Sequence, residues 1–276
     1  MTSGNPWSSE HIRWLIDTGK RLKTADGKDV EVWEFRHEKD DAVLSAWAKH
    51  YRNHYCSDNQ IEHLCQGTGK SKKEYLTDIK FPDCSHAPGP SIRSGDFGEI
   101  LAADFLEFIL GFWVPRARYI DKAVRNESTK GSDIIGFFFQ QYTEFSKKDT
   151  LAIFESKAQY SVSKAEPKLQ EAVNGSAKDI TRKAESLNYI KQRFLDTKHE
   201  DDADKVERFQ NEIDNPYKQL FGAIAHFDST IYNNSIVSST TTQQHPQKKV
   251  LKLIVICGND MMNLVHELYR RAADEA

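Results

Sequence analysis

The sequence predicts an α/β fold, in which a mixed sheet flanked by helices follows a mainly helical N-terminal region. Short apolar runs typical of buried strands alternate with segments whose apolar residues recur at helical spacing. The order of these segments is typical of one mixed sheet with helices on both faces. In chain order we predict helix 91–112, strands 113–120, 133–139 and 151–154, helices 176–196 and 204–230, strand 249–257 and helix 261–273.

The length of the chain allows one large core or two unequal domains. It has 276 residues, of which 38% are hydrophobic, enough to bury a sizeable core. The proline-rich run HAPGP at 86–90 interrupts the helical pattern. We therefore predict a boundary there, between an assembly or partner region at 1–90 and a catalytic core at 91–276.

The first 90 residues are predicted to contain mostly short helices around one strand. Most of the tryptophans lie in this region. We assign most of them to the core and the others to a surface for a partner protein, where aromatic side chains are enriched. The predicted elements are an amphipathic stretch at 11–22, an alternating strand at 30–35 and helices at 41–51, 57–64 and 72–79.

Composition excludes several classes of protein. The mean hydropathy is -0.66, and no apolar run approaches the ~20 residues of a membrane span. The N-terminus has no signal-peptide pattern, and four irregularly spaced cysteines favour a reduced, cytoplasmic protein. A net charge of -3 argues against a uniformly basic nucleic-acid coat but leaves room for a local basic cleft.

The candidate site lies in the segment 130–160, where two predicted strands are joined by a polar turn. Asp133 opens the first strand, and Glu155 and Lys157 close the second. In an antiparallel hairpin the start of one strand lies beside the end of the other, and residues two apart share a face. We therefore expect these three side chains to converge at one edge of the sheet.

Two carboxylates and a lysine at one point suit the hydrolysis of a phosphodiester with a divalent cation. Mg²⁺ prefers oxygen ligands, which Asp133, Glu155 and the carbonyl of Ser156 would supply. Lys157 would orient or help deprotonate the attacking water, or stabilise negative charge on the phosphate. Glu99, on the preceding helix, is a candidate outer-sphere or second-metal ligand. The alternative is that this degenerate pattern is only a solvated strand end.

The amino-acid sequences of several segments resemble those of a known family. The order of Glu99, Asp133, Glu155 and Lys157 resembles the PD-(D/E)xK nuclease superfamily, with Ser132 in place of the proline. The segments SGDFGEILAADFLEF, RNESTKGSDIIGF, FESKAQYS and HELYRRA further resemble the HamA family of Hachiman anti-phage defence systems, over most of the chain.

The resemblance implies a restriction-endonuclease-like core and a metal-dependent DNA endonuclease that is controlled by a helicase partner, HamB. It implies Mg²⁺ as cofactor, for which Mn²⁺ can substitute. Asp133, Glu155 and Lys157 would form the nuclease core, Ser156 would add a metal ligand, and Glu99 would be the carboxylate on the helix. Two alternatives stay open: a non-catalytic DNA-binding or regulatory subunit on a nuclease fold, and a restriction-type enzyme that acts without a helicase.

Three other groups of polar residues allow both a structural and a functional interpretation. The cysteines and histidines between 50 and 86 could bind metal, although their spacing fits no standard zinc site. His226 is expected to be a satisfied core histidine in a helix. Basic residues before the site could bind phosphates of DNA or could be scattered surface charge: Arg116, Arg118, Lys122, Arg125 and Lys130.

Overall fold

The computed structural model describes residues 7–129, 131–161 and 164–276. Within them the strands form a six-stranded sheet in the order β1-β2-β6-β5-β4-β3. The strands are β1 Leu15–Lys23, β2 Asp29–Phe35, β3 Ile134–Phe138, β4 Thr150–Gln159, β5 Lys218–Asp228 and β6 Leu251–Gly258.

The sheet is mixed, as the sequence predicts. Strands β2, β6, β5 and β4 run parallel to one another, and β1 and β3 pair with them antiparallel at the two edges. The central strands are almost continuously apolar because helices cover both faces of the sheet. An α/β fold with a mixed sheet flanked by helices is therefore confirmed.

Helices α1, α4 and α8 cover one face of the sheet and α5 covers the other. No helix among the described residues is long and apolar enough to cross a membrane. Single π-helical turns, Leu76–Lys80 and Phe105–Ile109, follow α3 and α4. The helices are α1 Asp41–Tyr55, α2 Ile61–Cys65, α3 Lys72–Tyr75, α4 Gly89–Asp104, α5 Lys168–Asp196, α6 Glu200–Glu207, α7 Asn234–Ser238 and α8 Met261–Asp274.

The prediction of one helix over 204–230 is wrong, because only its first residues are helical, at the end of α6, and residues 218–228 form the central strand β5. Its run of buried residues fits a buried helix or a buried strand equally well by periodicity alone. The structure decides through strand pairing, since the segment runs parallel between β4 and β6. Gly222 leaves room there for the ring of Phe154 in the neighbouring strand, which a Cβ at this position would approach to 2.2 Å. The charged residues between the helices predicted at 176–196 and 204–230 belong mostly to α6, whose Ala203 and Val206 are buried.

Two other predictions fail near the ends of elements. Segment 113–120 is not a strand, since only Trp113 pairs with Phe137. The stretch at 11–22 is a 3₁₀ turn, Glu10–Trp14, followed by strand β1. A mainly helical N-terminal region is not confirmed, because residues 15–35 form two strands that extend the sheet.

The first 90 residues share a core with the rest of the chain. Strand β2 pairs in parallel with β6, and Trp47 of α1 packs on Phe97 of α4. Trp14 and Trp47 are buried, as predicted for most of the tryptophans, whereas Trp7 and Trp33 are partly exposed. The partner surface predicted on this region stays a prediction. The boundary predicted near residue 90 stays a prediction.

Candidate functional site

Hairpin β3–β4 brings Asp133, Glu155 and Lys157 together. Ile134 pairs with Phe154, which places Asp133, just before β3, beside Glu155. The Lys157 Nζ lies 2.5 Å from Oε1 of Glu155 and 3.8 Å from Oδ2 of Asp133. The three side chains therefore surround one position at the carboxyl end of β4.

Both oxygens of the Asp133 carboxylate are held by donors. The backbone N–H of Ser156 donates to Oδ2 at 3.1 Å, and Arg118 donates to Oδ1 at 2.7 Å. The Ser156 carbonyl oxygen accepts from Lys157 Nζ at 3.2 Å, so it also faces the lysine. Asp133 is consequently fixed in orientation by β4 on one side and by Arg118 on the other.

Glu99 reaches the site through Arg118. The Nε of Arg118 donates to Glu99 Oε2 at 2.7 Å, and the hydroxyl of Tyr119 donates to the same oxygen. Glu99 lies on α4, which packs closely on β4 because its neighbour is Gly98: a Cβ there would lie 3.0 Å from that of Ala158. The Arg118 guanidinium thus bridges Glu99 and Asp133.

The carboxylates of the site are crowded and poorly solvated. Burial, with the charge of Asp133 adding to it, raises the pKa of Glu155 to about 8. Burial also raises the pKa of Glu99 to about 7, although Arg118 opposes the shift. Burial would lower the pKa of Lys157, but the negative charges of Asp133 and Glu155 outweigh it and raise this pKa. Lys157 is therefore a cation at neutral pH.

A fourth carboxylate, Asp179 of α5, was missed in the sequence. Its side chain is 0% exposed, and neither oxygen has a hydrogen-bond partner. Burial and the charge of Asp133 raise its pKa to about 7. A signal existed: Asp179 continues the buried stripe of α5 that passes through Ala172 and Ser176. It went unrecognised because the helix was predicted to begin at residue 176, whereas it begins at Lys168.

The donors of this site fit a hard divalent cation. Asp133, Glu155 and the Ser156 carbonyl offer oxygen ligands, which Mg²⁺ and Mn²⁺ prefer. Four carboxylates, those of Glu99, Asp133, Glu155 and Asp179, interact with one another around two cations, Arg118 and Lys157. The formal excess of negative charge equals the charge of one divalent ion.

The basic residues before the site are engaged in internal ion pairs. Arg116 pairs with Asp104 at 2.6 Å and Lys122 with Asp96 at 2.7 Å, and both cations are 3% exposed. Arg118 is committed to the carboxylates of the site. Arg125 pairs with Asp83 at 3.1 Å, and Lys130 lies outside the described residues. The structure therefore does not support the interpretation that the four described basic residues are free on the surface to bind phosphates.

The cysteines and histidines between 50 and 86 do not assemble a site of their own. Instead, His50 and His54 of α1 meet Asp104 of α4, with ligand-type atoms within 4.8 Å of one another. The backbone N–H of Ser8 donates to His50 Nδ1, so the proton of the neutral ring is on Nε2, which leaves no lone pair there for a metal. The Arg116 guanidinium also lies among these groups, 3.1 Å from His54 Nε2. The cluster is thus a buried ionic network.

His226 is a core residue, but it belongs to strand β5 and not to a helix. It is completely buried, and neither ring nitrogen has a partner. Burial lowers its pKa to about 3, so the ring is neutral. The expectation of a satisfied histidine is therefore wrong in this respect.

Comparison with known protein families gives one match. The model of the HamA family matches residues 10–272 of the 276-residue chain. This span covers both edges of the sheet and every residue of the site described above. No curated protein matches the chain.

Proposed function

This chain belongs to the HamA family, and we propose that it serves Hachiman anti-phage defence as a metal-dependent DNA endonuclease on a PD-(D/E)xK-like core. The observation that carries the proposal is the meeting of Asp133, Glu155 and Lys157 at one edge of the sheet. Burying two carboxylates beside a lysine is energetically unfavourable, and groups of this kind are concentrated at functional sites.

Each residue of the site has a distinct part in the proposed reaction. Asp133, Glu155 and the Ser156 carbonyl would hold Mg²⁺, or Mn²⁺ in its place. Such an ion would supply neutralisation of charge on the phosphate and activation of a water molecule. Lys157, protonated at neutral pH, orients the attacking water and stabilises the negative charge that develops on the phosphate. Arg118, braced by Glu99, keeps the Asp133 carboxylate in position.

Cleavage of plasmid DNA by the purified chain tests this function directly. We expect nicked and linear products with Mg²⁺ or Mn²⁺, none with EDTA, and little sequence preference. A non-catalytic DNA-binding subunit would retard the plasmid in a gel but leave it intact at every metal concentration. That result, reproduced in the presence of a helicase partner and ATP, would contradict the endonuclease proposal.

We predict that the helicase partner, HamB, restrains the nuclease until ATP and DNA are supplied. A nuclease with little sequence preference needs outside control, and a partner can supply it by favouring a sequestered state. Titrating the helicase into the nicking assay without ATP should reduce the nicking rate toward zero at saturation. Bovine serum albumin at equal concentration is the control. Unchanged or faster nicking would mean that the partner activates the nuclease or has no effect on it.

Glu99→Gln should lower the cleavage rate less than Glu155→Gln does. Glutamine still accepts from Arg118 and Tyr119, so the brace on Asp133 weakens without being lost. Residues that orient a metal ligand typically contribute about 10- to 100-fold. Initial nicking rates of both variants at saturating Mg²⁺ provide the comparison. An equal or greater loss in Glu99→Gln would make Glu99 a direct ligand.

A further inference from the structure

One face of helix α5 lies directly over the site. A Cβ at Gly175 would lie 2.4 Å from Oε1 of Glu155, so the helix backbone contacts this carboxylate. Further along, the hydroxyl of Ser186 accepts from the backbone N–H of Ser132 at 3.4 Å. Residues 175, 179 and 186 fall within about 40° of the helix circumference. Asp179 therefore lies on the stripe of α5 between its contact with Glu155 and its contact with the residue before Asp133.

The Asp179 carboxylate is buried on that stripe without a hydrogen bond of ordinary geometry. The Ser132 hydroxyl interacts with it only weakly, and the nearest cation, the half-exposed Arg182, is 4.0 Å away. Burying a carboxylate with so little compensation is unfavourable, and a group of this kind calls for a ligand or a function. The electrostatic interaction of Asp179 with both Asp133 and Glu155 agrees with its place on α5, between the contact of Gly175 with Glu155 and the contact of Ser186 with Ser132.

Glu99 and Asp179 differ in how far their charges are already compensated. Glu99 accepts from Arg118 and Tyr119 on the same oxygen, and its negative charge is matched by the guanidinium. Asp179 makes no ion pair closer than its 4.0 Å contact with Arg182, and the Ser132 hydroxyl is the only neutral donor that interacts with it among the described residues. The carboxylate of Asp179 is therefore more available as a ligand for an entering cation than that of Glu99, which is already paired with Arg118.

We propose that Asp179 of α5 is the third carboxylate of the divalent-cation site, acting with Asp133 and Glu155. The proposal rests on the proposed function, since it adds a ligand to the same metal site. It assigns Glu99 to the positioning of Asp133 through Arg118. The site then draws its carboxylates from a hairpin and from the helix that follows it in the chain.

The cation would have to draw the three carboxylates together. Their oxygens do not all lie within 4.8 Å of one another, and the Lys157 ammonium lies between Asp133 and Glu155. The negative charges of the three carboxylates repel one another until a bound cation compensates them. Asp179 therefore changes metal affinity through both its charge and its ligand oxygen, and this effect can be measured without DNA.

Binding of Mn²⁺ to the full-length protein, followed by the EPR signal of the free ion, tests the proposal. Asp179→Asn should weaken Mn²⁺ binding by about tenfold or more. This is at least the loss that is typical when a residue that only supports a metal ligand is changed. The matched control is Asp196→Asn, an exposed aspartate on the same helix, which should bind Mn²⁺ as the unchanged protein does. A dissociation constant for Mn²⁺ in Asp179→Asn within twofold of that of the unchanged protein would overturn the proposal.

Thermal unfolding in EDTA separates a ligand from a structural acceptor. Asparagine removes an unpaired buried charge, so the metal-free Asp179→Asn protein should melt at the same temperature as the unchanged protein or higher. A fall of more than about 3 °C would show that Asp179 stabilises the fold and would overturn the proposal. If the unchanged protein binds no Mn²⁺ and cuts no DNA, the proposed function fails too. If it does both and only the Asp179 result is negative, the proposed function stands.

Discussion

Replacing Glu155 by glutamine is expected to abolish DNA cleavage while the protein stays folded. Glutamine removes the negative charge that would hold the metal, and a metal ion at a phosphate contributes several kcal/mol to the rate. At about 1.4 kcal/mol per factor of ten, the loss is on the order of a thousandfold. Lys157→Ala should cause a loss of similar order, because no other cation contacts the Glu155 carboxylate among the described residues. Nicking rates with Mg²⁺ measure both effects.

Stability should not follow activity in these variants. Glu155 is 6% exposed and is packed tightly against Gly175. Glutamine has nearly the same volume, so it fits this space, and it removes the cost of burying an ionisable carboxyl group. Its melting temperature should equal or exceed that of the unchanged protein. Lys249→Ala, an exposed lysine before β6 at the opposite end of the sheet, is the activity control. Full cleavage by folded Glu155→Gln would mean that the reaction takes place elsewhere in the chain.

Asp104→Asn is expected to cause the largest loss of stability. The Asp104 carboxylate is completely buried and contacts His11 at 2.9 Å, His50 at 3.1 Å and Arg116 at 2.6 Å. Burial alone would raise its pKa, but His50 and Arg116 outweigh burial and hold this pKa well below its usual range. A carboxyl with a lowered pKa stabilises the fold at pH values above its unfolded pKa of about 4. The substitution should therefore lower the free energy of unfolding at neutral pH.

Removing one partner of a buried ion pair typically costs about 3–5 kcal/mol, and we expect a loss in this range. Urea unfolding should show a lower midpoint with an unchanged slope. The same change at an exposed pair is the control: Asp29→Asn breaks a contact with Lys23 in which both side chains are 62% exposed. It should cost less than about 1 kcal/mol. Equal midpoints for the two variants would contradict an essential ionic network at Asp104.

The network of Asp104 also shows why the function of charged residues is hard to predict from sequence. Arg116 and Lys122 have the composition of a basic patch, and nothing local distinguishes a surface lysine from a buried one. Their partners, Asp104 and Asp96, are 12 and 26 residues away in the sequence. Only the packing of α4 decides that these charges are neutralised inside the molecule.

The sequence alone determined the hairpin and its three residues. The two apolar runs, the polar turn between them and the spacing of Glu155 and Lys157 are local features, so the convergence of Asp133 with them follows from strand geometry. The tertiary structure decided the rest. A nearly continuous apolar run has no distinguishing period, so β5 was recognisable only from its place between β4 and β6. Asp179 lies beside the site because α5 packs on the sheet, and Arg118, in the segment between α4 and β3, because it pairs with Glu99 and Asp133. Both depend on long-range packing, since the desolvation and pairing of a charge depend on neighbours that the local sequence does not contain.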